Sequence, residues 1–229
     1  MNTEKSWWQK PEGLLFSTAV CLLGFAFFAL YLVLGKLGGF DGTVYGALIK
    51  YDNPAVKRLM VGLTFCGSEW FITPIAAVLF TAAVREKGFR VRGMTASLSP
   101  AAAWVVNYLL KAIFRRSRPA VTRWLVAERG FSFPSAHAMV SAAFYGSLIC
   151  LCFAYLRKPW RGLCTALLLL LAAAVGVSRA FLGVHYPSDV AAGFFAGFAQ
   201  AFFAAYLTER PGRFRHPRKP QRAGPAGRS

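Results

Sequence analysis

Residues Ser178 to Thr208 read SRAFLGVHYPSDVAAGFFAGFAQAFFAAYLT, and this stretch decides the fold. From Val190 to Thr208 run 19 residues without a charge, close to the roughly 20 that an α-helix needs to cross a hydrocarbon core. Arg179, His185 and Asp189 stand just before that run, so an apolar helix begins beside a polar cluster.

Working outward, five more runs have similar length: Gly13 to Gly35, Leu59 to Val84 (interrupted by Glu69), Gly93 to Leu110, Ala138 to Leu156 and Gly162 to Ser178. The pattern predicts an all-α, polytopic membrane bundle of six transmembrane helices spanning residues 13–209. The first run is too long for a typical signal-peptide core and no small-residue cleavage site follows it, which reads as a retained anchor. Residues 1–12 read as an interfacial segment in which Trp7 and Trp8 suit the headgroup boundary and Pro11 breaks before helix 1. Phe40 to Arg58 has no clean period and stays unassigned. Residues 210–229 form a basic tail with too few large apolar residues to order itself, so disorder is expected there. Gly193 and Gly197, beside Ala192 and Ala196, offer a small face for close helix packing, with dimerisation the other use. Nothing in the pattern specifies an oligomer.

The net charge of +18 would suggest nucleic acid in a soluble chain. Beside membrane helices, basic loops instead attract anionic headgroups by about 1 kcal/mol per residue, so the expected partners of the tail are anionic lipids and no nucleic acid is expected. Lys and Arg number 16 on the side holding both termini against 11 on the other, or 8 without Lys111, Arg118 and Arg179. This asymmetry places both termini in the cytoplasm and the motif-bearing ends on the outer face of a cell membrane. The five cysteines lie in the predicted helices as small apolar residues, with no disulfide or metal-ligand spacing.

Three stretches carry the chemistry: Lys111 to Pro119 (KAIFRRSRP), Pro134 to His137 (PSAH) and Ser178 to Asp189 (SRAFLGVHYPSD). Lys111, Arg118 and Arg179 fall at helix ends from which three cations can converge on one anion, although each alone reads more readily as a snorkelling cation. Ser135 is at a helix start, where its hydroxyl can cap the helix or bind phosphate. His137, in the first turn, can donate a proton. His185 and Asp189, four residues apart around Pro187, can form an oriented imidazole whose free nitrogen attacks phosphorus, while Asp189 alone can be a favourable charge at a helix N-terminus. The chain has nine carboxylates, of which Asp41, Asp52, Glu128 and Asp189 lie in loops on this side, with Glu69 inside helix 2. No pair has metal-motif spacing, so a metal-independent mechanism without cofactor is expected. Glu69 has three open readings: contact with a lipid headgroup, a pair with a site cation, or a protonated helix contact.

Together the stretches resemble the signature of the type 2 phosphatidic acid phosphatase (lipid phosphate phosphatase) superfamily, K-x6-RP, PSGH and SR-x5-H-x3-D. Lys111, Arg118 and Pro119 match the first motif, Pro134, Ser135 and His137 the second, and Ser178, Arg179, His185 and Asp189 the third. The small six-helix form is similar to the bacterial phosphatidylglycerophosphatase B and undecaprenyl-diphosphatase branch. The resemblance implies a lipid phosphatase in which His185 attacks phosphorus to form a phosphohistidine and Asp189 orients it. His137 would protonate the leaving oxygen, and Lys111, Ser135, Arg118, Arg179 and the backbone N–H of Ala136 would hold the phosphate. Phosphatidylglycerophosphate, undecaprenyl diphosphate and phosphatidate are the implied substrates. A phosphotransferase using the same intermediate, or a noncatalytic lipid-binding or translocating protein, are the alternatives. Ala136 replaces the family glycine, which is harmless in a helical backbone and costs about 1–2 kcal/mol at positive φ. A helical Ala136 is expected.

Overall fold

The computed structural model describes residues 10–120 and 124–209. Residues 1–9 and 210–229, which hold most of the expected interfacial segment and the basic tail, lie outside the described residues. The described chain is helical: α1 (Pro11–Val33), α2 (Gly38–Leu48), a short 3-10 turn (Ile49–Tyr51), α3 (Pro54–Phe65), α4 (Glu69–Arg85), α5 (Arg90–Phe114), α6 (Ala136–Tyr155), α7 (Trp160–Phe181) and α8 (Pro187–Glu209).

Five stretches are long and apolar enough to cross a membrane: Pro11–Val33, Pro54–Arg85 taken through its break, Ala136–Tyr155, Trp160–Phe181 and Pro187–Glu209. The remaining expected helix, α5, has 25 residues, about 37 Å of helix. It is more polar, with Arg90, Arg92, Thr95, Ser97, Ser99 and Asn107, and it packs between α4 and α6. The fold is thus the expected all-α membrane bundle.

Two local expectations are corrected and one unassigned segment gains a structure. Helix 2 is two helices, because the chain turns at Cys66, Gly67 and Ser68. A Cβ at Gly67 would stand 2.3 Å from Val175 Cγ1, and Tyr145 Oη donates to Cys66 O at 2.6 Å, so the break is pinned against α6 and α7. The unassigned Phe40 to Arg58 segment is most of α2 and the start of α3, whose N-cap Asn53 accepts from the N–H groups of Ala55 and Val56 at 3.0 Å. Pro11 opens α1 instead of preceding it, since proline in the first turn forfeits no intrahelical hydrogen bond.

In the bundle, α6 lies at the centre against α5, α7 and α8, while α1 runs along α8, α4 along α5 and α3 along α7. Its core joins Ile72, Phe144, Tyr145 and Ala172 with Phe194 and Phe198. Large apolar side chains on α1, α5 and α7, among them Leu23, Val33, Tyr108, Ile113 and Leu170, point outward, as surfaces facing lipid do. Polar links tie the interior: Ser99 Oγ donates to Ala143 O at 3.0 Å, Gln200 Nε2 to Ser99 O at 2.9 Å, and Asn107 Nδ2 to Pro134 O at 3.1 Å. The small face of α8 is spent inside the bundle, because Gly193 and Gly197 face Met139 and Ala142 of α6 and Ser135 just before it. This antiparallel order brings the C-terminal ends of α5 and α7 and the N-terminal ends of α6 and α8 to one end of the molecule.

Candidate active site

Local turns aim the functional side chains. Helix α5 ends where Arg115 takes a left-handed conformation (φ 47) and its N–H reaches Lys111 O at 3.0 Å, which reverses the chain so that Arg116 and Arg118 fold back over the bundle end. Gly130 (φ 72) and Gly183 (φ 73) make the turns that lead into Ser132 and His185. Pro187 then opens α8 and places Asp189 in its first turn.

His185 is 2% exposed and Asp189 0%. Arg118 Nη1 lies 3.1 Å from His185 Nε2. A guanidinium only donates, so Nε2 accepts and the ring proton sits on Nδ1. That nitrogen faces Ser132 Oγ at 3.3 Å and Asp189 Oδ2 at 3.6 Å. Ser132 Oγ in turn donates to Asp189 Oδ2, so a hydroxyl bridges imidazole and carboxylate. Burial, opposed by Asp189, pushes the His185 pKa down to about 4, with Arg118 and Arg179 adding to the depression. The ring is neutral at pH 7, the form that has a lone pair to give.

The cations gather next to it. Arg179, 2% exposed, donates through Nη1 to Thr64 Oγ1 at 3.0 Å and through Nη2 to Glu128 Oε1. Arg118 reaches Glu128 Oε2 at 3.4 Å and ties down the carbonyls of Arg129, Gly130 and Val184 at 2.8–3.0 Å. Lys111 Nζ donates to Phe131 O, within electrostatic reach of Arg118, Arg179, Glu128 and Asp189. Burial works to raise the Glu128 pKa, but the guanidinium charges of Arg179 and Arg118 outweigh it and hold the carboxyl below its usual range. A carboxylate therefore sits among both motif histidines and two of the three expected cations.

Ser135 is the N-cap of α6, yet its hydroxyl makes no capping bond and is a buried group without a partner, as is Arg179 Nε. Capping is thus not its use. Ala136 is the first residue of α6 and is helical, without positive φ, so alanine fits where a glycine was the pattern. Its N–H is one of the first-turn donors that a helix leaves unpaired. His137, half-buried in the same turn, has its Cδ2 3.5 Å from the position a Cβ on Gly67 would take. Glu69 is corrected: it stands at the exposed first turn of α4, and no ion pair joins it to a described cation.

The model of the PAP2 superfamily matches residues 92–213, a span that contains every motif residue. The chain belongs to the PAP2 superfamily. Phosphatidylglycerophosphatase B of Bacillus subtilis is 29% identical over 177 residues, covering 76% of this chain and 86% of that protein. The undecaprenyl-diphosphatase of Sulfolobus acidocaldarius is 28% identical over 199 residues, covering 82% and 89%. The crystal structure of a transmembrane PAP2 type phosphatidylglycerolphosphate phosphatase from Bacillus subtilis superposes with a TM-score of 0.76 at 26% identity, over 87% of this chain and 100% of that one. The protein is a membrane phosphatase acting on phosphoric esters.

Sequence reasoning missed several polar residues of this PAP2 site. Asp41, Arg116, Glu128, Ser132 and Ser188 bond directly to motif residues or to one another. Arg116 lies inside the first motif and Ser132 two residues before the second, so adjacency was a usable signal for both. Asp41 and Glu128 entered only as carboxylates on this side, and nothing in the sequence linked Asp41 to Ser188, which it reaches across 147 positions.

Proposed function

We propose that this PAP2 phosphatase hydrolyses a phosphomonoester or diphosphate on a membrane lipid through a phosphohistidine. The observation that carries the reading is the Glu128 carboxylate held by Arg118 and Arg179 beside His137 and His185, in a site with Ser135 Oγ and Arg179 Nε still unpaired. Such a setting is built for an oxyanion. On substrate binding, phosphate oxygens replace the carboxylate and take donors from Lys111, Arg118, Ser135, Arg179 and the Ala136 N–H. Arg118 then turns from His185 Nε2 to a phosphate oxygen, which frees the lone pair. Nε2 attacks phosphorus as the bond to the leaving oxygen breaks, and His137, held as the imidazolium by the bound phosphate anion, gives that oxygen its proton and becomes neutral. Asp189, through Ser132, keeps the Nδ1 proton in place and stabilises the charged ring. Water next attacks the phosphohistidine, His137 accepts its proton, and inorganic phosphate leaves.

The acids Asp41, Glu128 and Asp189 each pair with arginine, so guanidinium groups supply the positive charge and the chemistry runs without a metal. The lipid tail lies against the apolar helices while the phosphate enters at the bundle end, on the outer face, with both termini in the cytoplasm. Phosphatidylglycerophosphate, undecaprenyl diphosphate and phosphatidate are the substrates to test, the first two on the strength of the named relatives.

The test is inorganic phosphate release by detergent-purified protein in excess EDTA across these lipids, with acid-labile, base-stable phosphate trapped on the protein. We expect metal-free turnover and labelling, both lost in His185→Gln, with a fall of at least about 1,000-fold in kcat and lipid binding retained. Transfer of the phosphate to an added alcohol with none released would favour the phosphotransferase, and binding without turnover a carrier.

A further inference from the structure

We propose that Arg116 and Asp41, outside the positions that define the three motifs, are positioning residues that hold Asp189 for attack by His185. The inference rests on His185 being the nucleophile.

The geometry is a chain of alternating charge. Arg116 Nη1 donates to Asp189 Oδ1 at 2.6 Å and to Ser188 Oγ at 2.8 Å, and its Nη2 donates to Asp41 Oδ2 at 2.7 Å. Its guanidinium lies over the Tyr186 ring, 3.9 Å from the centroid. Asp41, on α2, accepts from the Ser188 N–H through Oδ1 at 2.8 Å and from Ser188 Oγ through Oδ2 at 2.9 Å. The side chains of Asp41, Arg116 and Asp189 are 6%, 13% and 0% exposed. Two ion pairs so shielded contribute through geometry as much as through net stability.

The consequence falls on the two oxygens of Asp189. Arg116 occupies Oδ1, which leaves Oδ2 to face Ser132, the Tyr186 N–H at 2.9 Å and His185. Without the guanidinium the carboxylate has a second oxygen buried and unsatisfied, and rotation about its Cβ–Cγ bond carries Oδ2 away from the Ser132 bridge. Asp41 fixes Arg116 from the far side and also ties down the first turn of α8, on which Asp189 rides. Three partners in fixed directions require the planar fork of arginine, and lysine can satisfy only part of the set. Neither residue bonds to Lys111, Ser135, Arg118 or Arg179, so the phosphate grip should be indifferent to both.

Steady-state kinetics on Arg116→Gln, Arg116→Lys, Asp41→Asn and the double variant Arg116→Gln/Asp41→Asn test this, with the folded fraction fixed by thermal unfolding. We expect kcat to fall roughly 10- to 100-fold in Arg116→Gln, the scale of a misplaced reacting group, with KM and the inhibition constant of inorganic phosphate within about threefold of native. Arg116→Lys should recover part of the loss. The double variant should be no more than about threefold slower than Arg116→Gln, because the two residues act as a unit. An unchanged kcat, a loss confined to KM, or a double variant whose effects multiply would overturn the proposal. If Arg116→Gln does not fold, Asp41→Asn carries the test alone: a fall of about 3- to 10-fold in kcat at native KM is expected, and native kcat overturns it. His185→Gln in the same series separates the two readings. Turnover kept in His185→Gln removes the nucleophile assignment, whereas turnover lost there but native in Arg116→Gln removes only the clamp.

Discussion

Glu128 places a negative group where the phosphate is proposed to sit, bound to Arg179 and Arg118 at once. An incoming phosphate has to break those pairs, so the carboxylate is a built-in competitor. Replacing it with the neutral Glu128→Gln should tighten inhibition by inorganic phosphate about 10-fold, equivalent to about 1.4 kcal/mol. Competition kinetics at constant pH measure this, and weaker inhibition would show instead that the acid braces the site. At this scale the motif residues were legible because each pairs a reactive type with fixed spacing. Glu128 was not, since it lies in a loop and gains its meaning only from guanidinium groups 10 and 51 residues away.

Among the elements, the pairing of α6 with α8 sets the register of the site, because Ser135 is the N-cap of α6, Asp189 lies in the first turn of α8, and Ser135 N bonds to Asp189 O at 3.0 Å. The helices approach closely through glycine. A Cβ on Gly197 would meet Met139 O at 2.2 Å and Ala142 Cβ at 2.8 Å, contacts that only a separation of the helices relieves. Gly197→Ala should therefore lose roughly 1–3 kcal/mol of stability and some activity. Gly162→Ala, in the open on α7, should be neutral or stabilising, since alanine is the better helix former by about 1 kcal/mol. Thermal unfolding in detergent separates the two, and equal melting temperatures would mean that α6 and α8 do not pack at this distance. The small-residue face was readable from spacing, but which neighbour filled it was not. The break at Gly67 went unread for a related reason: it lies in an apolar run, and the contact with Val175 that requires glycine comes from α7.

The molecule as a whole buries its neutral histidine at the polar end of an apolar bundle, and this links stability to pH. The His185 pKa, about 4 in the folded chain, lies below the ordinary value near 6.5. Above pH 6.5 the ring is neutral in both states. As pH falls from 6.5 toward 4 the unfolded chain takes up a proton that the folded chain refuses, so stability is lost through this window and the loss levels off below 4. The melting temperature of the native protein, relative to His185→Gln, should thus decline between pH 7 and pH 4.5, and a constant difference would contradict the burial of a neutral ring. The membrane character, the helical runs and the motif residues with their order along the chain were all determined by the sequence alone. Hydrophobic run length and residue type at short spacing are local properties that survive without a fold. The Asp41–Arg116–Asp189 chain, the Ser132 bridge, the unused Ser135 hydroxyl and the exposed place of Glu69 were decided by tertiary structure alone. Each depends on which helix ends the packing brings together, and a polar contact across 75 or 147 positions leaves no periodicity in the chain to be read.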